Sequence, residues 1–279
     1  MANMDLLEGT VRLIQAQMDS RLNSLAIEAV RVGIFFTGVK LSSGHAGVAF
    51  TPAGEIPEAV CCPKSAARMP DAGKLTGKTV DEVLAYALSP NVLKSAIGVA
   101  MVNALSHHLF EEGTEQDYEV HFGPDGLDFL DVTPDDRISL VGAFTPYIRR
   151  FKNQGIQFFI IEKTSDALKP DEMKYYRPSS EAAKILPESD VVIITGAAIV
   201  NHTLDGLLKQ TRSNARVAVI GPTSSMVPDV YFRGGVDLMA GIRVTNPDLM
   251  LRILEEGGSG YHLFNTCAER VTFVKNRAR

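Results

Sequence analysis

One turn of the sequence carries residues placed where a nucleotide-binding protein would hold phosphate. The segment Val141-Gly-Ala-Phe-Thr-Pro follows a short apolar run, and Glu162 comes about 20 residues after Gly142, where a dinucleotide-binding fold has its ribose-binding acid. The second and third glycines of that fingerprint are replaced by Phe144 and Tyr147. Because these side chains block the close approach of a pyrophosphate to the backbone, the sequence argues against NAD and NADP as cofactors.

The same turn can still bind a smaller anion. Thr145 as N-cap and Pro146 as the first helical residue leave free backbone N–H groups at the positive end of a helix. A second hydroxyl-rich loop, Gly221-Pro-Thr-Ser-Ser, offers backbone N–H groups and the Ser224 hydroxyl. The alternative is that the first turn is an ordinary strand-to-helix connection without a ligand.

A third polar segment follows another apolar run. Thr195 and Gly196 end that run, and Asn201, His202 and Thr203 come soon after. Polar residues just past a buried strand are placed to meet a ligand. Asn201 and Thr203 can equally serve only to cap the next helix, and the sequence does not decide between the two interpretations.

Soft metal ligands occur in the first half of the chain without a typical spacing. His45 lies in a Gly-His-Ala-Gly turn, and Cys61 and Cys62 are adjacent, but there is no Cys-x-x-Cys or His-x-x-x-His. These three residues are therefore weak candidates for a metal site. Asn103, inside an apolar helix, His45 and Lys64 are weaker candidates for the wall that faces the ligand.

The second half of the chain alternates strands with helices. Near-continuous apolar runs such as Val191–Thr195 are typical of strands buried on both faces. The alternation predicts a Rossmann-like α/β domain with a mostly parallel sheet and right-handed crossovers. Ligands of such sheets lie at the carboxyl ends of the strands where the strand order reverses. We expect this point between the strands that end at Gly142 and Thr195.

The first half predicts a smaller α+β domain. An amphipathic helix over Asp5–Met18 precedes an antiparallel pair of strands, and two helices follow, from Val80 to Leu88 and from Val92 to Leu105. The turn-rich, acidic segment Asp131-Val-Thr-Pro-Asp-Asp is the predicted linker. The sequence therefore predicts two domains, 1–130 and 131–279, with the chain crossing between about Gly123 and Arg137.

Composition excludes several classes of protein. The 279 residues are 45% hydrophobic and 22% charged, as in ordinary globular domains. The net charge is −5 and the basic residues are scattered, which argues against nucleic acid as a partner. No apolar run is long enough to cross a membrane, and the N-terminus lacks the features of a signal peptide. We expect a cytoplasmic protein with free thiols, and the sequence leaves its oligomeric state open, a homo-oligomer included.

Several segments together resemble a known family, the heavy-metal chelation family. They are Val141-Gly-Ala-Phe, Ser189-Asp-Val-Val-Ile-Ile-Thr-Gly, Val200-Asn-His-Thr-Leu-Asp-Gly-Leu-Leu, Ile220-Gly-Pro-Thr-Ser and Leu238-Met-Ala-Gly. Gly47-Val-Ala-Phe-Thr-Pro and Gly98-Val-Ala-Met-Val-Asn-Ala-Leu resemble the enolase N-terminal-like domain that accompanies it. The resemblance implies a Rossmann-like domain packed on an enolase-N-terminal-like domain, metal handling, and a site between the two; it brings no catalytic residues.

Three functions follow as hypotheses. The first is binding of a heavy-metal ion, or of a small anionic metal-chelating compound, in the interdomain cleft. The second is an enzyme acting there on a small organic or nucleotide-like substrate, with Lys64, Glu162 or His202 as acid or base. The third is an interaction protein with an inert Rossmann-like half. We expect the cleft to be lined by Gly142–Thr145, Thr195–Gly196, Asn201–Thr203 and Gly221–Ser224, and to favour an oxygen-rich or anionic ligand over an apolar one.

Overall fold

The computed structural model describes residues 5–55, 69, 71–113 and 117–276, and shows two sheets. The smaller one is antiparallel, in the order β1-β2-β3. Its strands are β1 (Ile27–Val32), β2 (Phe36–Leu41) and β3 (Ala46–Phe50). The sequence predicted a pair here, because the turn between β1 and β2 is as apolar as the strands that it connects.

The first half has three helices, α1 (Leu6–Met18), α2 (Val80–Leu84) and α3 (Val92–Glu111). Helix α3 packs on β2 and β3 of the small sheet, and α1 and α2 pack on α3. Thr79 caps α2 through a capping box with Glu82. Helix α3 is six residues longer than predicted and is almost entirely buried. It lies directly on β3 at Gly47, where a Cβ atom would come within 2.3 Å of the Ala100 carbonyl oxygen. The small sheet and α3 thus form one α+β unit.

The larger sheet has eight strands in the order β4-β11-β10-β9-β8-β5-β6-β7. Those from β5 to β10 pair in parallel. They are β5 (Ile138–Val141), β6 (Phe158–Glu162), β7 (Tyr176–Pro178), β8 (Val191–Thr195), β9 (Arg216–Ile220) and β10 (Leu238–Val244). Counted along the chain, their order is the 3-2-1-4-5-6 of a Rossmann fold. The predicted Rossmann-like, mostly parallel sheet is confirmed.

Helices of the second half connect these strands. They are α4 (Thr145–Gln154), α5 (Ala182–Ile185), α6 (Ala197–Val200), α7 (Leu204–Leu208), α8 (Asp229–Arg233), α9 (Pro247–Glu255) and α10 (Gly260–Leu263). Several are single turns, and α7 has five residues. In the described ranges, no helix is both long enough and apolar enough to cross a bilayer.

Two antiparallel strands complete one side of the larger sheet. Strand β11 (Ala268–Lys275) pairs with β10, and β4 (Tyr118–Phe122) pairs with β11 at the edge. Strand β4 therefore belongs to the larger sheet although it precedes the boundary expected at residue 131. The division into domains 1–130 and 131–279 stays a prediction, as does the enolase-like character of the first half.

Candidate functional site

The strand order reverses between β5 and β8, which are hydrogen-bonded neighbours. Gly142 follows β5 with φ +115°, and a Cβ atom there would lie 3.0 Å from the Thr195 Cβ at the end of β8. The two strand ends are thus in close contact. This is the position predicted from the sequence, because all parallel strands present their carboxyl ends at one edge.

A cavity of about 660 Å³, which we call the edge cavity, opens at this edge of the sheet. Phe144 and Thr145 of the first turn, Thr195 and Gly221 contribute to its wall. The small sheet and the turn before β2 also contribute to the wall, through Phe35, Phe36 and Phe50. The cavity is therefore bounded by both halves of the chain.

Aromatic side chains form much of this wall. They are Phe35, Phe36, Phe50, Phe144, Tyr147, Tyr261 and Phe264. The Phe144 and Tyr147 rings stack, with centroids 5.4 Å apart and planes inclined by 13°. Ile34, Phe35 and Tyr261, at or beside the cavity, expose 63%, 47% and 69% of their surfaces. The sequence had predicted hydroxyls, amides and backbone N–H groups, and that expectation was wrong in underestimating the apolar character of the wall.

The first turn of α4 differs from its prediction in one respect. Phe144 is the N-cap residue, Thr145 is the first helical residue, and no side chain caps the helix. The Thr145 backbone N–H donates to the Ala143 carbonyl oxygen at 3.1 Å. The expectation that Thr145 caps α4 was therefore wrong, because the chain turns one residue earlier.

The polar part of the cavity centres on Asp125 and Arg270. The Tyr147 hydroxyl donates to Asp125 Oδ1 at 2.6 Å, and burial followed by the nearby Asp125 raises the pKa of Tyr147. Arg270 Nε lies 3.7 Å from Asp125 Oδ2, beyond hydrogen-bond distance, and its guanidinium lies 4.7 Å from the centre of the Phe264 ring. Arg270 therefore brings a stacked positive charge to a largely aromatic cavity.

Some predicted residues lie just behind the cavity wall. The Gly196 N–H donates to the Ile220 carbonyl oxygen at 2.9 Å and holds β8 to β9. Ser224 is fully buried, with Oγ 2.8 Å from the carbonyl oxygens of Gly221 and Ala240. Both residues shape the wall through the backbone and do not present a side chain to the cavity.

Four other predicted residues lie away from the cavity wall. His202 Nε2 contacts the Ser89 carbonyl oxygen at 3.1 Å. Thr203 is the N-cap of α7 without a capping hydrogen bond, and Asn201 ends α6 with a buried Oδ1 atom that has no partner. The Glu162 carboxylate accepts from the Lys163 N–H at 2.9 Å. The structure therefore does not bring Glu162 and His202 together as acid and base.

Asn103 lies between the two halves of the chain but does not line the edge cavity. Its Nδ2 donates to the carbonyl oxygens of Val48 and Thr223, at 2.7 and 2.9 Å. The residue is fully buried. Its role in the structure is to join α3, β3 and the loop after β9.

His45, a weak metal candidate, lies elsewhere on the first half. Its Nε2 contacts Glu111 Oε2 at 3.0 Å, and its ring meets that of His108 with centroids 4.7 Å apart. Cys61, Cys62 and Lys64 lie outside the described residues. Among residues 5–55, 69, 71–113 and 117–276, no group of three or more His, Cys, Asp or Glu side chains is arranged to hold a metal ion.

The third cysteine, Cys267, is a buried free thiol. Its Sγ lies 3.7 Å from the Leu263 carbonyl oxygen, and burial raises the pKa of the thiol to about 11. Since metals and electrophiles react with the thiolate, Cys267 is a structural residue.

Sequence reasoning missed Phe35, Phe36, Phe50, Asp125 and Arg270 of the cavity wall. A signal existed for the first two, because Gly33-Ile-Phe-Phe places apolar residues in a tight turn where polar ones are usual. The sequence contains no such signal for Arg270 and Asp125. They come together only because β11 adds to the sheet antiparallel to β10.

The strand order and the edge cavity define a Rossmann-like α/β protein with an added small antiparallel sheet. A family model described as "Putative heavy-metal chelation" matches residues 125–273, and a second with the same description matches residues 15–106. The first alone covers more than half of the chain, so this chain belongs to that family.

Relatives match this chain over most of their length. An uncharacterized protein from Methanocaldococcus jannaschii is 25% identical over 202 residues, which are 70% of this chain and 71% of that protein. A DUF364-family crystal structure from Pyrococcus horikoshii has a TM-score of 0.75 at 21% identity and covers 96% of this chain and 98% of its own. One from Desulfitobacterium hafniense DCB-2 has a TM-score of 0.71 at 20% identity, with coverage of 96% and 99%. Both are titled as proteins of unknown function, so they show the fold alone.

Proposed function

We propose that this chain binds a small, flat, anionic metal-chelating compound, free or with its metal, in the edge cavity. The observation that carries the proposal is the composition of the wall, which combines aromatic rings, two of them stacked on each other, with one arginine that lies over a third ring. A volume of about 660 Å³ lies within the range of small-molecule sites. The family description, heavy-metal chelation, supports a ligand that handles metal.

Ring stacking favours a flat ligand. Phe144 and Tyr147 form a stacked pair on the large-sheet side, and Phe35 and Phe36 approach from the small sheet. Aromatic faces stack on one another with an energy of about 0.5–1.5 kcal/mol beyond the burial of their area. A planar heteroaromatic compound would meet rings on both sides of the cavity.

The arginine favours an acidic group on that ligand. Arg270 is paired with Asp125 through Nε at 3.7 Å, and its two Nη groups carry further N–H donors. A planar guanidinium binds a carboxylate or phosphate through two parallel hydrogen bonds. Stacking on Phe264 fixes the plane in which these bonds would form.

The chelator in this proposal supplies the metal ligands itself. The acidic, histidine and cysteine side chains of the described ranges include no group of three that could hold an ion. Among the described residues that line the cavity, the acidic one is Asp125, and its carboxylate already accepts a hydrogen bond from the Tyr147 hydroxyl. A metal ion in the edge cavity would therefore be held mainly by the small molecule.

The test uses 8-hydroxyquinoline-5-sulfonate, a flat anionic chelator that fluoresces when it binds Zn²⁺. Calorimetric titration of the full chain with the free chelator, and fluorescence titration with its Zn²⁺ complex, should both show saturable binding. Arg270→Met should weaken binding about tenfold, the loss expected for one charge-assisted hydrogen-bonded contact. Phe144→Ala should weaken it several-fold through lost stacking.

Arg137→Met is the matched control, because the Arg137 side chain is exposed. Its ion pair with Glu188 is also at the surface, with 3.6 Å between Nη1 and Oε2. The variant should leave the affinity unchanged. Equal binding by the wild type and Arg270→Met would contradict the proposal. So would the absence of saturation at millimolar chelator with the folded wild type.

A further inference from the structure

Two histidines face each other at the C-terminal end of α3, outside the edge cavity. The Nδ1 atoms of His45 and His108 are 3.1 Å apart, and the ring planes are inclined by 89°. The side chains are 14% and 17% exposed. His45 comes from the turn between β2 and β3, so the pair forms only when α3 packs on the small sheet.

A carboxylate lies beside the Nε2 atom of each ring. His45 Nε2 lies 3.0 Å from Glu111 Oε2, and His108 Nε2 lies 3.3 Å from Glu112 Oε1. Arg21 binds the second oxygen of Glu112. Because an ionised carboxylate only accepts hydrogen bonds, His45 carries its proton on Nε2 and presents Nδ1 as a bare lone pair. His108 Nδ1–H is then the donor to that lone pair in the neutral pair.

A metal ion can take the place of the hydrogen between the rings. His108 has a second position for its proton on Nε2, 3.3 Å from Glu112 Oε1, and moving the proton there leaves two facing Nδ1 lone pairs. The Ser43 hydroxyl, 3.0 Å from His45 Nδ1, can donate to that nitrogen but cannot bridge the two rings. A metal ion between the Nδ1 atoms would remove the repulsion of these lone pairs.

We propose that His45 and His108 together bind one borderline divalent metal ion, with Zn²⁺ as the reference case, through their facing Nδ1 atoms. Tetrahedral nitrogen ligands at about 2.0–2.1 Å from zinc lie about 3.3 Å from each other, close to the spacing here. A carboxylate on the far nitrogen is the usual partner of a metal-binding histidine, because it fixes the tautomer and the ring orientation. Glu111 and Glu112 are thus positioning residues.

The described residues leave the coordination sphere open. Among them, two imidazoles and the Ser43 hydroxyl lie at the facing nitrogens, so water or a small chelating anion would complete the sphere. Structural zinc sites have four protein ligands, whereas catalytic sites keep a position open for water or substrate. The geometry therefore describes a site at which a small molecule can join the metal. It is separate from the edge cavity and does not depend on the proposed chelator.

Calorimetric titration of the metal-stripped full chain with Zn²⁺ tests the site, and Co²⁺ absorbance gives a second readout of coordination. The wild type should bind one equivalent at this site. His45→Ala and His108→Ala should each weaken it at least tenfold. Glu111→Gln and Glu112→Gln should give smaller losses, up to the roughly tenfold that a lost outer carboxylate causes.

Two controls separate this pair from other ligands. His121→Ala removes a histidine that also contacts a carboxylate, Glu119 at 3.0 Å, but whose ring stacks on Phe129 instead of facing a second histidine. The double variant Cys61→Ser, Cys62→Ser removes two thiols that are adjacent in the sequence. Both should bind Zn²⁺ at this site as the wild type does.

Nitrogen-15 NMR of the wild-type histidines tests the proposal without any variant. Zn²⁺ should shift the Nδ1 resonances of both rings, whereas a shared proton would give a pair that titrates with pH and ignores the metal. The second result, or undiminished binding by folded His45→Ala and His108→Ala, overturns the proposal. Chelator binding in the edge cavity should stay unchanged in these variants, so either proposal can fail alone.

Discussion

Asn103 donates from its side-chain amide to the carbonyl oxygen of Thr223 at 2.9 Å, and so ties the long helix of the first half to the loop after β9. The Thr223 hydroxyl in turn accepts from the Phe50 N–H at 2.9 Å. Phe50 lines the edge cavity, as do Gly221 and Pro222 in the loop of Thr223. The Asn103–Thr223 bond therefore holds the two walls of the cavity in register.

Asn103→Ala should lower the free energy of unfolding by about 2–4 kcal/mol, because it leaves the buried carbonyl oxygens of Val48 and Thr223 without donors. Asn103→Asp should cost more although it has the same shape, because a buried carboxylate would face two carbonyl oxygens. Urea unfolding measures both. Asn276→Ala, which removes an exposed asparagine bonded to Asp117, should cost less than about 0.5 kcal/mol. Wild-type stability of Asn103→Asp would contradict this account.

The close contact of the β5 and β8 ends depends on Gly142. Gly142→Ala places a Cβ atom 3.0 Å from Thr195 Cβ at φ +115°, a backbone conformation that favours glycine. We expect a loss of about 1–3 kcal/mol in unfolding free energy and weaker chelator binding.

Gly206→Ala is the matched control, because Gly206 lies in α7 with open space around its Cβ position. That change should be neutral or slightly stabilising. A Gly142→Ala variant as stable as Gly206→Ala would show that the strand ends separate easily. The double variant Gly142→Ala, Thr195→Ala should recover only part of the loss, because the backbone strain remains.

The larger sheet could be predicted because its strands are easily recognised in the sequence. Apolar runs such as Val191–Thr195, each followed by polar turn residues, determine both the parallel sheet and the edge where its loops meet. Thr195 and Gly221 were found at the cavity for this reason. Asn201 and His202 follow the same strand, yet the short helix α6 turns them away from the cavity.

The facing wall could not be read from the sequence in the same way. Phe36 and Arg270 are far apart in the chain and meet through the packing of the small sheet and the antiparallel addition of β11. The sequence offers His45, Cys61 and Cys62 as metal candidates. In the structure, His45 contacts His108 on α3, which the sequence did not suggest. Local spacing carries no information on such pairs, because long-range packing brings them together.

The stability of the fold should depend on pH through the ionic cluster around Asp71. The hydroxyl of Tyr86 and then Lys94, 3.1 Å away, lower the pKa of Asp71 to about 2. Since the unfolded pKa is about 3.9, the carboxylate adds stability above about pH 4, and this stability is lost as the pH falls towards 2.

Asp71→Asn should therefore be less stable than the wild type at pH 5–7, and the difference should shrink between pH 4 and 2. Urea unfolding at a series of pH values measures it. Lys94→Met should move the loss to higher pH, because one of the charges that lowers the Asp71 pKa is gone. A stability difference that stays constant down to pH 2 would contradict the assignment.

The Rossmann strand order makes nucleotide binding the obvious test of the edge cavity, and we predict that NAD and NADP do not bind. Phe144 stands where the dinucleotide turn has its second glycine, and its ring stacks on Tyr147 with centroids 5.4 Å apart. A pyrophosphate needs that space to reach the backbone N–H groups at the start of α4. Calorimetry should show no saturable heat with either cofactor up to about 1 mM, which limits the binding free energy to weaker than about −4 kcal/mol. The chelator serves as positive control in the same protein sample, and micromolar binding of either dinucleotide would refute the prediction.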